Sequence, residues 1–208
     1  MKLDPKFSKF VVLLNASVPL ALLCWDAYWH ELGANPMRNA LQTTGMLALI
    51  FLLLSLTITP ARKISGWNFL SHFRRLLGLF AFFYGVIHLA IYFTFDLSLN
   101  FPGLIDDVVR RPFILLGMTA LVLMVPLALT STNRSIKRLG AARWKRLHQL
   151  VYISAIAGAL HFYMQAKADV KLPVALSLAL AVLLGYRVIE VLRTKMKMRV
   201  PAEIRDTR

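Results

Sequence analysis

The chain has 208 residues, of which 58% are hydrophobic and 17% charged, and its formal net charge is +15. A water-soluble domain of this length has too little polar surface to cover so large an apolar fraction. The composition therefore excludes an ordinary soluble enzyme and indicates an integral membrane protein. Nucleic acid is not needed to explain the positive charge, because membrane topology and anionic lipid headgroups account for it.

Six apolar segments along the chain are candidates for membrane spans. Crossing a hydrocarbon core of about 30 Å takes about 20 apolar residues in a helix. The loops between the segments are too short to fold as soluble domains, so we predict one all-α domain over residues 1–208 with a short basic tail over 193–208. The six segments are 10–29, 41–60, 76–95, 112–130, 149–166 and 172–192.

The distribution of Lys and Arg predicts the orientation of these spans. Twenty of the 25 basic residues lie before the first span, in the loops 61–75 and 131–148, or from residue 187 onward. Only five lie in the remaining loops, which the alternation of spans puts on the other side of the membrane. Loops rich in Lys and Arg remain in the cytoplasm. We therefore predict a polytopic protein with six transmembrane helices and both termini in the cytoplasm.

Several chemistries are excluded by missing residues. The single cysteine, Cys24, leaves no CxxC or CxxCH for an iron–sulfur cluster or a covalently attached haem. The chain has no glycine-rich nucleotide-binding motif. A proton or ion transporter needs carboxylates at mid-membrane, whereas Asp26 and Asp96 lie near span ends. Arg187 and Glu190, near the end of the last span, are predicted to pair across one helical turn.

Two histidines lie at matching depths in different spans. His88 and His161 each follow the predicted cytoplasmic start of their span by twelve residues, which is about 18 Å along a helix. Two imidazoles at one depth can ligate one iron from both sides. Gly85 and Gly158 each precede a histidine by three residues on the same helix face, and we predict that they pack against a macrocycle. The alternative is a pair of hydrogen-bonded packing histidines.

A zinc site would require three or four ligands, and no Cys, Asp or Glu accompanies this pair. We therefore predict a b-type haem with His88 and His161 as axial ligands.

His148 lies thirteen residues before His161, roughly 20 Å away along a helix, so one iron cannot bind both. It follows a basic stretch with an aromatic residue, and two arginines precede the third span at a similar depth. We predict a second site near the cytoplasmic surface that binds a flat ring with a phosphate. The alternative is an ordinary interfacial loop, and His30 and His72 are predicted to be surface residues. The predicted site consists of His148, Arg74, Arg75, Trp144 and Arg146.

Seven short stretches, in this order, resemble a known family. Together they are similar to the haem-binding membrane subunit of the bacterial protein-methionine-sulfoxide reductase system, within the ferric-reductase-like transmembrane group. The resemblance extends from residue 33 to the end of the sixth span, and its most specific part is LGxxxWxxLHxLVY. The stretches are 33–36 (GANP), 44–45 (TG), 58–62 (ITPAR), 74–79 (RRLLGL), 88–92 (HLAIY), 129–133 (LTSTN) and 139–152.

The resemblance implies a ferric-reductase-like bundle in the bacterial inner membrane that carries haem b and FMN. It implies that a cytoplasmic flavin reductase using NAD(P)H donates electrons. A periplasmic molybdopterin subunit would accept them and reduce methionine sulfoxide in oxidised proteins. The chain would then be an electron-transfer subunit without a substrate-reducing site of its own. His88, His148 and His161 match the family's histidines.

One departure from the wider group concerns the second site. Where ferric reductases carry a fourth histidine, fourteen residues before His88, this chain has Arg74. The prediction is therefore a flavin at the cytoplasmic site, with a second haem held by His148 and another ligand, such as His72, as the alternative. Two other functions remain open at this point: a quinol-oxidising cytochrome b feeding another periplasmic acceptor, and a transporter or structural bundle without a cofactor.

Overall fold

The computed structural model describes residues 5–166 and 169–199, and within these ranges every regular element is helical. The prediction of an all-α protein is confirmed for this part of the chain. A 3₁₀ turn (Asn68–His72) precedes α3, and a π-helical turn (Tyr92–Asp96) follows it. Most of the predicted tail and Lys167 lie outside the described residues. The α-helices are α1 (Pro5–Tyr28), α2 (Pro36–Ser65), α3 (Arg74–Ile91), α4 (Phe101–Arg110), α5 (Pro112–Leu129), α6 (Asn133–Leu139), α7 (Ala141–Leu147), α8 (Leu150–Gln165) and α9 (Lys171–Arg199).

Five helical segments in the described residues are long and apolar enough to cross a membrane. They contain α1, α2, α3 with its flanking turns, α5 and α9. The fifth predicted span corresponds to α8, which has 16 residues and a length of about 24 Å. That is shorter than the roughly 20 residues a span requires. A sixth span and the cytoplasmic position of both termini therefore stay predictions.

The helices form a bundle in which α2 packs along α3 and α5 packs along α8, while α9 contacts α8 and α2. Small buried residues such as Ala81 and Ala155 allow close helix contacts, which is how helices associate in lipid. The buried hydroxyls of Thr44, Ser55 and Ser154 each donate to a backbone carbonyl, as a low-dielectric interior requires. The Tyr84 hydroxyl donates to the carbonyl of Ala16, 2.7 Å away, and joins α3 to α1.

The second span extends further than predicted. The sequence placed its end at Pro60, but α2 continues to Ser65 and ends at Gly66, whose φ of 74° is the left-handed conformation that favours glycine. Pro60 has no N–H, so the Leu56 carbonyl loses its helical donor. The Arg187 Nη2 atom of α9 donates to this carbonyl at 3.0 Å, which removes the cost of the interruption.

The predicted pair between Arg187 and Glu190 is wrong. Glu190 instead forms an ion pair with Lys63 of α2, while Arg187 points to α2 and α8. The Arg187 side chain donates to the Leu56 carbonyl of α2. If Arg187 paired with Glu190 instead, this carbonyl would have no donor. Both charged residues therefore join α9 to its neighbours.

Short helices lie at both ends of the bundle. We call the end with α4, His88 and His161 the α4 end, and the end with α7 and His148 the α7 end. α4 is amphipathic, and Phe101, Ile105 and Val109 are exposed on one of its faces. The side chain of Asn100 caps this helix by accepting from the Gly103 N–H. The sequence analysis treated this segment as a loop because its ten residues are too short to resemble a span.

Candidate functional site

The structure brings His88 of α3 and His161 of α8 together at the α4 end. Their ring centroids lie 6.1 Å apart, and the ring planes are nearly perpendicular at 86°. These two helices are not one of the main packing pairs of the bundle. The ring of His88 lies against α2 and the ring of His161 lies against α5. The two histidines that the sequence placed at equal depth thus share one site.

Backbone carbonyls orient both rings in the same way. The Nδ1 atom of His88 is 3.0 Å from the carbonyl of Leu41, and that of His161 is 2.6 Å from the carbonyl of Phe113. A carbonyl can only accept, so each Nδ1 carries the proton and each Nε2 carries the lone pair. Neither Nε2 has a polar partner among the described residues. Histidines that bind metals typically have this arrangement.

Two glycines that the sequence analysis did not assign to the site lie directly under the rings. A Cβ at Gly45 of α2 would lie 3.0 Å from the ring of His88. A Cβ at Gly117 of α5 would lie 2.8 Å from the Nδ1 of His161. Any side chain there would displace the imidazole from its carbonyl. Gly45 belonged to one of the stretches that carried the resemblance, but nothing near Gly117 in the sequence indicated its role.

The predicted packing glycines, Gly85 and Gly158, face other helices. A Cβ at Gly85 would lie 3.0 Å from the Leu121 side chain of α5, and one at Gly158 would lie 3.8 Å from Ala120. These are close contacts between helices, of the kind that small residues permit in membranes. The role of both glycines against a haem stays a prediction.

The residues at the α4 end suit an iron with two axial nitrogen ligands. Metal–imidazole bonds of about 2 Å through Nε2 would hold two ring centroids roughly 6 Å apart, which agrees with the observed separation. Within the described part of the chain, no group of three or more His, Cys, Asp or Glu residues could hold a metal ion. The pair therefore fits a haem, whose macrocycle supplies the other ligands, and does not fit zinc.

The third histidine, His148, ends α7 at the other end of the bundle. Its ring stacks on the indole of Trp144 with centroids 3.8 Å apart, and its Nδ1 lies 3.1 Å from the Trp144 carbonyl. Burial lowers the pKa of His148, and the positive charges of Arg74 and Arg75 lower this pKa further. The ring is therefore neutral at pH 7. Its buried Nε2 has no hydrogen-bond partner in the described chain.

Four of the five residues predicted for the second site line one cavity at the α7 end. The cavity contains about 590 Å³ of atom-free space, including its open side, and its other walls are mostly apolar. The Arg75 Nη1 atom donates to the side chain of Asn133 at 2.8 Å. The four residues are Arg74, Arg75, Trp144 and His148.

Arg146 and His72 do not join them. Arg146 is exposed and does not line the cavity, because two helical steps from Trp144 turn its side chain to the opposite face of α7. His72 lines a separate, wider cleft together with Lys9 and Arg75. The structure therefore gives no support to a pairing of His72 with His148, and His72 is exposed, as the sequence predicted.

A second polar group behind this cavity was missed by the sequence analysis. Arg187 of α9 donates from Nη1 to the Tyr152 hydroxyl at 2.5 Å, and its guanidinium lies 5.0 Å from the centre of the Tyr152 ring. The Arg74 side chain interacts with the same hydroxyl. Tyr152 thus connects the cavity wall to α9. Its position at the end of the LGxxxWxxLHxLVY stretch was the only signal in the sequence.

Comparison with known proteins identifies the family. Residues 44–159 match the family model described as ferric reductase like transmembrane component. Three relatives are named protein-methionine-sulfoxide reductase heme-binding subunit MsrQ. The one from Herminiimonas arsenicoxydans is 42% identical and covers 96% of this chain and 93% of its own. Those from Deinococcus radiodurans (47% identical; 83% and 85%) and Rhodospirillum rubrum (43%; 95% and 95%) are similar over most of both chains.

The chain belongs to this family. The family match includes His88 and His148 and ends two residues before His161, which the longer matches cover. Membership confirms the predicted resemblance and a multi-pass bacterial membrane protein, in agreement with the apolar helices of the structure.

Proposed function

We propose that this chain is the haem b-binding electron-transfer subunit of a protein-methionine-sulfoxide reductase system. The observation that carries the proposal is the pair His88 and His161, two adjacent imidazoles whose Nδ1 atoms are bound to carbonyls and whose Nε2 atoms have no polar partner among the described residues. The names of the relatives, which are haem-binding subunits of such a system, support it. We therefore assign His88 and His161 as the axial ligands.

The chain's own residues prepare this site. The carbonyls of Leu41 and Phe113 hold the rings in one tautomer and increase the basicity of Nε2, as outer-shell acceptors do for metal-bound histidines. Gly45 and Gly117 leave room for the rings. When bound, the haem supplies a one-electron carrier whose iron changes between the ferric and ferrous states.

We further propose that the α7 end binds a second flat redox group, with FMN as the leading candidate. Arginine binds phosphate through two parallel hydrogen bonds, and Arg74 and Arg75 both line the cavity. The Trp144 and His148 rings offer flat surfaces in the same cavity. A second haem is the alternative, because the buried Nε2 of His148 resembles those of the other two histidines.

The proposed route runs from the cytoplasm to the periplasm. The excess of basic residues supports a cytoplasmic α7 end, where a flavin reductase using NAD(P)H would donate electrons. A molybdopterin subunit at the α4 end would accept them and reduce methionine sulfoxide in proteins, so this chain would need no substrate-reducing site of its own. The alternative donor is a quinol, which would make the chain a quinol-oxidising cytochrome b.

The test is reduction of the purified full-length protein, followed by its visible spectrum. We expect a Soret band that shifts when flavin reductase and NAD(P)H are added under anaerobic conditions. Protein without a Soret band would contradict haem binding. Reduction by a quinol analogue but not by the flavin reductase would favour the alternative donor.

Cofactor stoichiometry tests the second site. We expect about one haem and one FMN per chain in the wild type, and loss of FMN alone in His148→Ala. Two haems and no flavin in the wild type, with one haem lost in His148→Ala, would replace FMN by a second haem. An unchanged cofactor content in His148→Ala would show that His148 binds neither.

A further inference from the structure

A single carboxylate at the α4 end is bonded both to the segment that carries His88 and to the start of the helix that orients His161. The Oδ2 atom of Asp107 accepts a hydrogen bond from the Tyr92 hydroxyl, and its Oδ1 lies 2.9 Å from the Nε of Arg111. The Asp107 side chain is 14% exposed, although it lies on an otherwise exposed surface helix. A carboxylate that is nearly buried and has two partners differs from an ordinary surface charge.

On one side, Asp107 is connected to His88. Tyr92 follows His88 by four residues, so both side chains lie on the same face of the helix. Tyr92 is also the first residue of the π-helical turn, and its N–H bonds to the carbonyls of His88 and Leu89. Single π turns occur frequently at functional sites.

On the other side, Asp107 is connected to the segment that orients His161. Arg111 is the N-cap of α5, and its carbonyl accepts the N–H of Ile114 at 2.9 Å. Phe113, within this first turn, provides the carbonyl to which the Nδ1 of His161 is bound. Asp107 therefore adds a polar connection between α3 and the start of α5, beside the direct packing of these two helices.

We propose that Asp107 is a positioning residue for the His88–His161 pair and that its charge sets the redox potential of the group they bind. This inference rests on the proposed haem site. Asp107→Asn removes a poorly screened negative charge, leaves Arg111 without its counter-charge and gives the Tyr92 hydroxyl a weaker, neutral acceptor. Reduced iron carries one positive charge less than oxidised iron, so a nearby positive charge favours reduction. The potential of the Asp107→Asn protein is therefore more positive than that of the wild type.

The neighbouring residue provides a matched control. Asp106 forms the same kind of ion pair with Arg110, four residues later on the same helix, at 2.6 Å. Its side chain is 56% exposed, and it has no bond to Tyr92. Asp106→Asn removes the same charge from the same helix without changing the connection between the histidine segments. Water screens such an exposed charge.

The experiment is a potentiometric titration of full-length, haem-loaded Asp107→Asn, Asp107→Glu, Asp106→Asn and wild-type proteins. The transition followed is the one that His88→Ala removes. At the wild-type midpoint we expect the ratio of reduced to oxidised haem to rise roughly threefold to tenfold in Asp107→Asn. We expect the visible bands to broaden as the ligands lose their fixed orientation. Asp107→Glu keeps the charge, so its midpoint potential should lie closer to the wild-type value than that of Asp107→Asn. The midpoint potential of Asp106→Asn should equal that of the wild type.

Three results would overturn the inference. The first is a wild-type midpoint and spectrum in Asp107→Asn. The second is a lower haem content with unchanged potential and bands in the haem that remains, which would give Asp107 a purely structural role. The third is an equal shift in Asp106→Asn. If Asp107→Asn does not fold, the positioning role is tested in Tyr92→Phe, which keeps both charges: we expect broadened bands there, and wild-type bands would overturn it. Wild-type protein without haem would instead refute the proposed function.

Discussion

The two ends of the bundle fix a histidine in the same way but with different parts of the chain. At the α4 end, the carbonyls that orient His88 and His161 belong to α2 and α5, so tertiary packing determines the position of each ring. At the α7 end, the carbonyl that orients His148 comes from Trp144, four residues earlier in the same turn. The position of each ring at the first site depends on four helices, whereas the His148 ring is oriented within one local segment, although α2, α3 and α5 also line its cavity.

The charges of the two ends differ as well. At the α4 end, Arg110 and Arg111 are each paired with an aspartate. At the α7 end, no ion pair to Arg74 or Arg75 occurs in the described part of the chain, and both arginines line the cavity. A pair of neutral imidazoles without excess charge suits a metal. A cavity with two unpaired cations suits an anionic group such as a phosphate.

The strongest test of this difference is removal of each histidine in turn. His88→Ala and His161→Ala should each abolish haem binding at the α4 end, because a bis-histidine site loses half of its axial ligands. His148→Ala should leave that haem in place, since it lies at the opposite end. The haem content and the spectrum of each purified variant measure this. A wild-type spectrum in His88→Ala would refute the ligand assignment.

A smaller effect is expected from the glycine under the His161 ring. In Gly117→Ala, the new Cβ would lie 2.8 Å from the Nδ1 of His161 and push the ring off the Phe113 carbonyl. We expect the haem content to fall by roughly half or more, although alanine by itself favours a helix by about 1 kcal/mol.

Gly185→Ala in α9 is the control, because nothing lies within 4 Å of its added Cβ. It should retain the wild-type haem content. Equal losses in both variants would show that the helices do not tolerate alanine in general and that the ring contact is not the cause.

These contacts show what the sequence could and could not predict. Five of the six spans predicted from hydropathy correspond to helices long and apolar enough to cross a membrane, and helical depth matched His88 with His161, because both depend on regular spacing along one helix. Gly117 and Tyr152 could not be found in this way. Their roles depend on which helix packs beside which, and a single sequence does not contain that information. The end of α2 was misplaced for the same reason, since the donor that makes Pro60 tolerable comes from α9.

Arg187 provides a test of the α7 end that does not involve a cofactor. In Arg187→Met, the Leu56 carbonyl loses its donor, and we expect the protein to lose about 1–3 kcal/mol of stability. Pro60→Ala restores the helical N–H donor to that carbonyl. The loss of stability caused by Arg187→Met should therefore be smaller in the Pro60→Ala protein than in the wild type. Thermal unfolding of the four proteins in one detergent gives the coupling energy. Additive effects would mean that Arg187 does not compensate for Pro60.

The smallest expected effect is that of the ion pair between Lys63 and Glu190, which also joins α2 to α9. Their side chains are 41% and 33% exposed, so water screens the attraction, and pairs of this kind contribute about 0–1 kcal/mol. Lys63→Met should therefore lower the unfolding temperature less than Arg187→Met does, and high salt should remove the difference from the wild type. A loss as large as that of Arg187→Met would show that the α2–α9 contact depends on charge rather than on the satisfied carbonyl of Leu56. The contrast between a locally oriented His148 and the tertiary contacts that orient His88 and His161 would then be weaker, because a long-range ion pair would also hold the helix behind the His148 cavity.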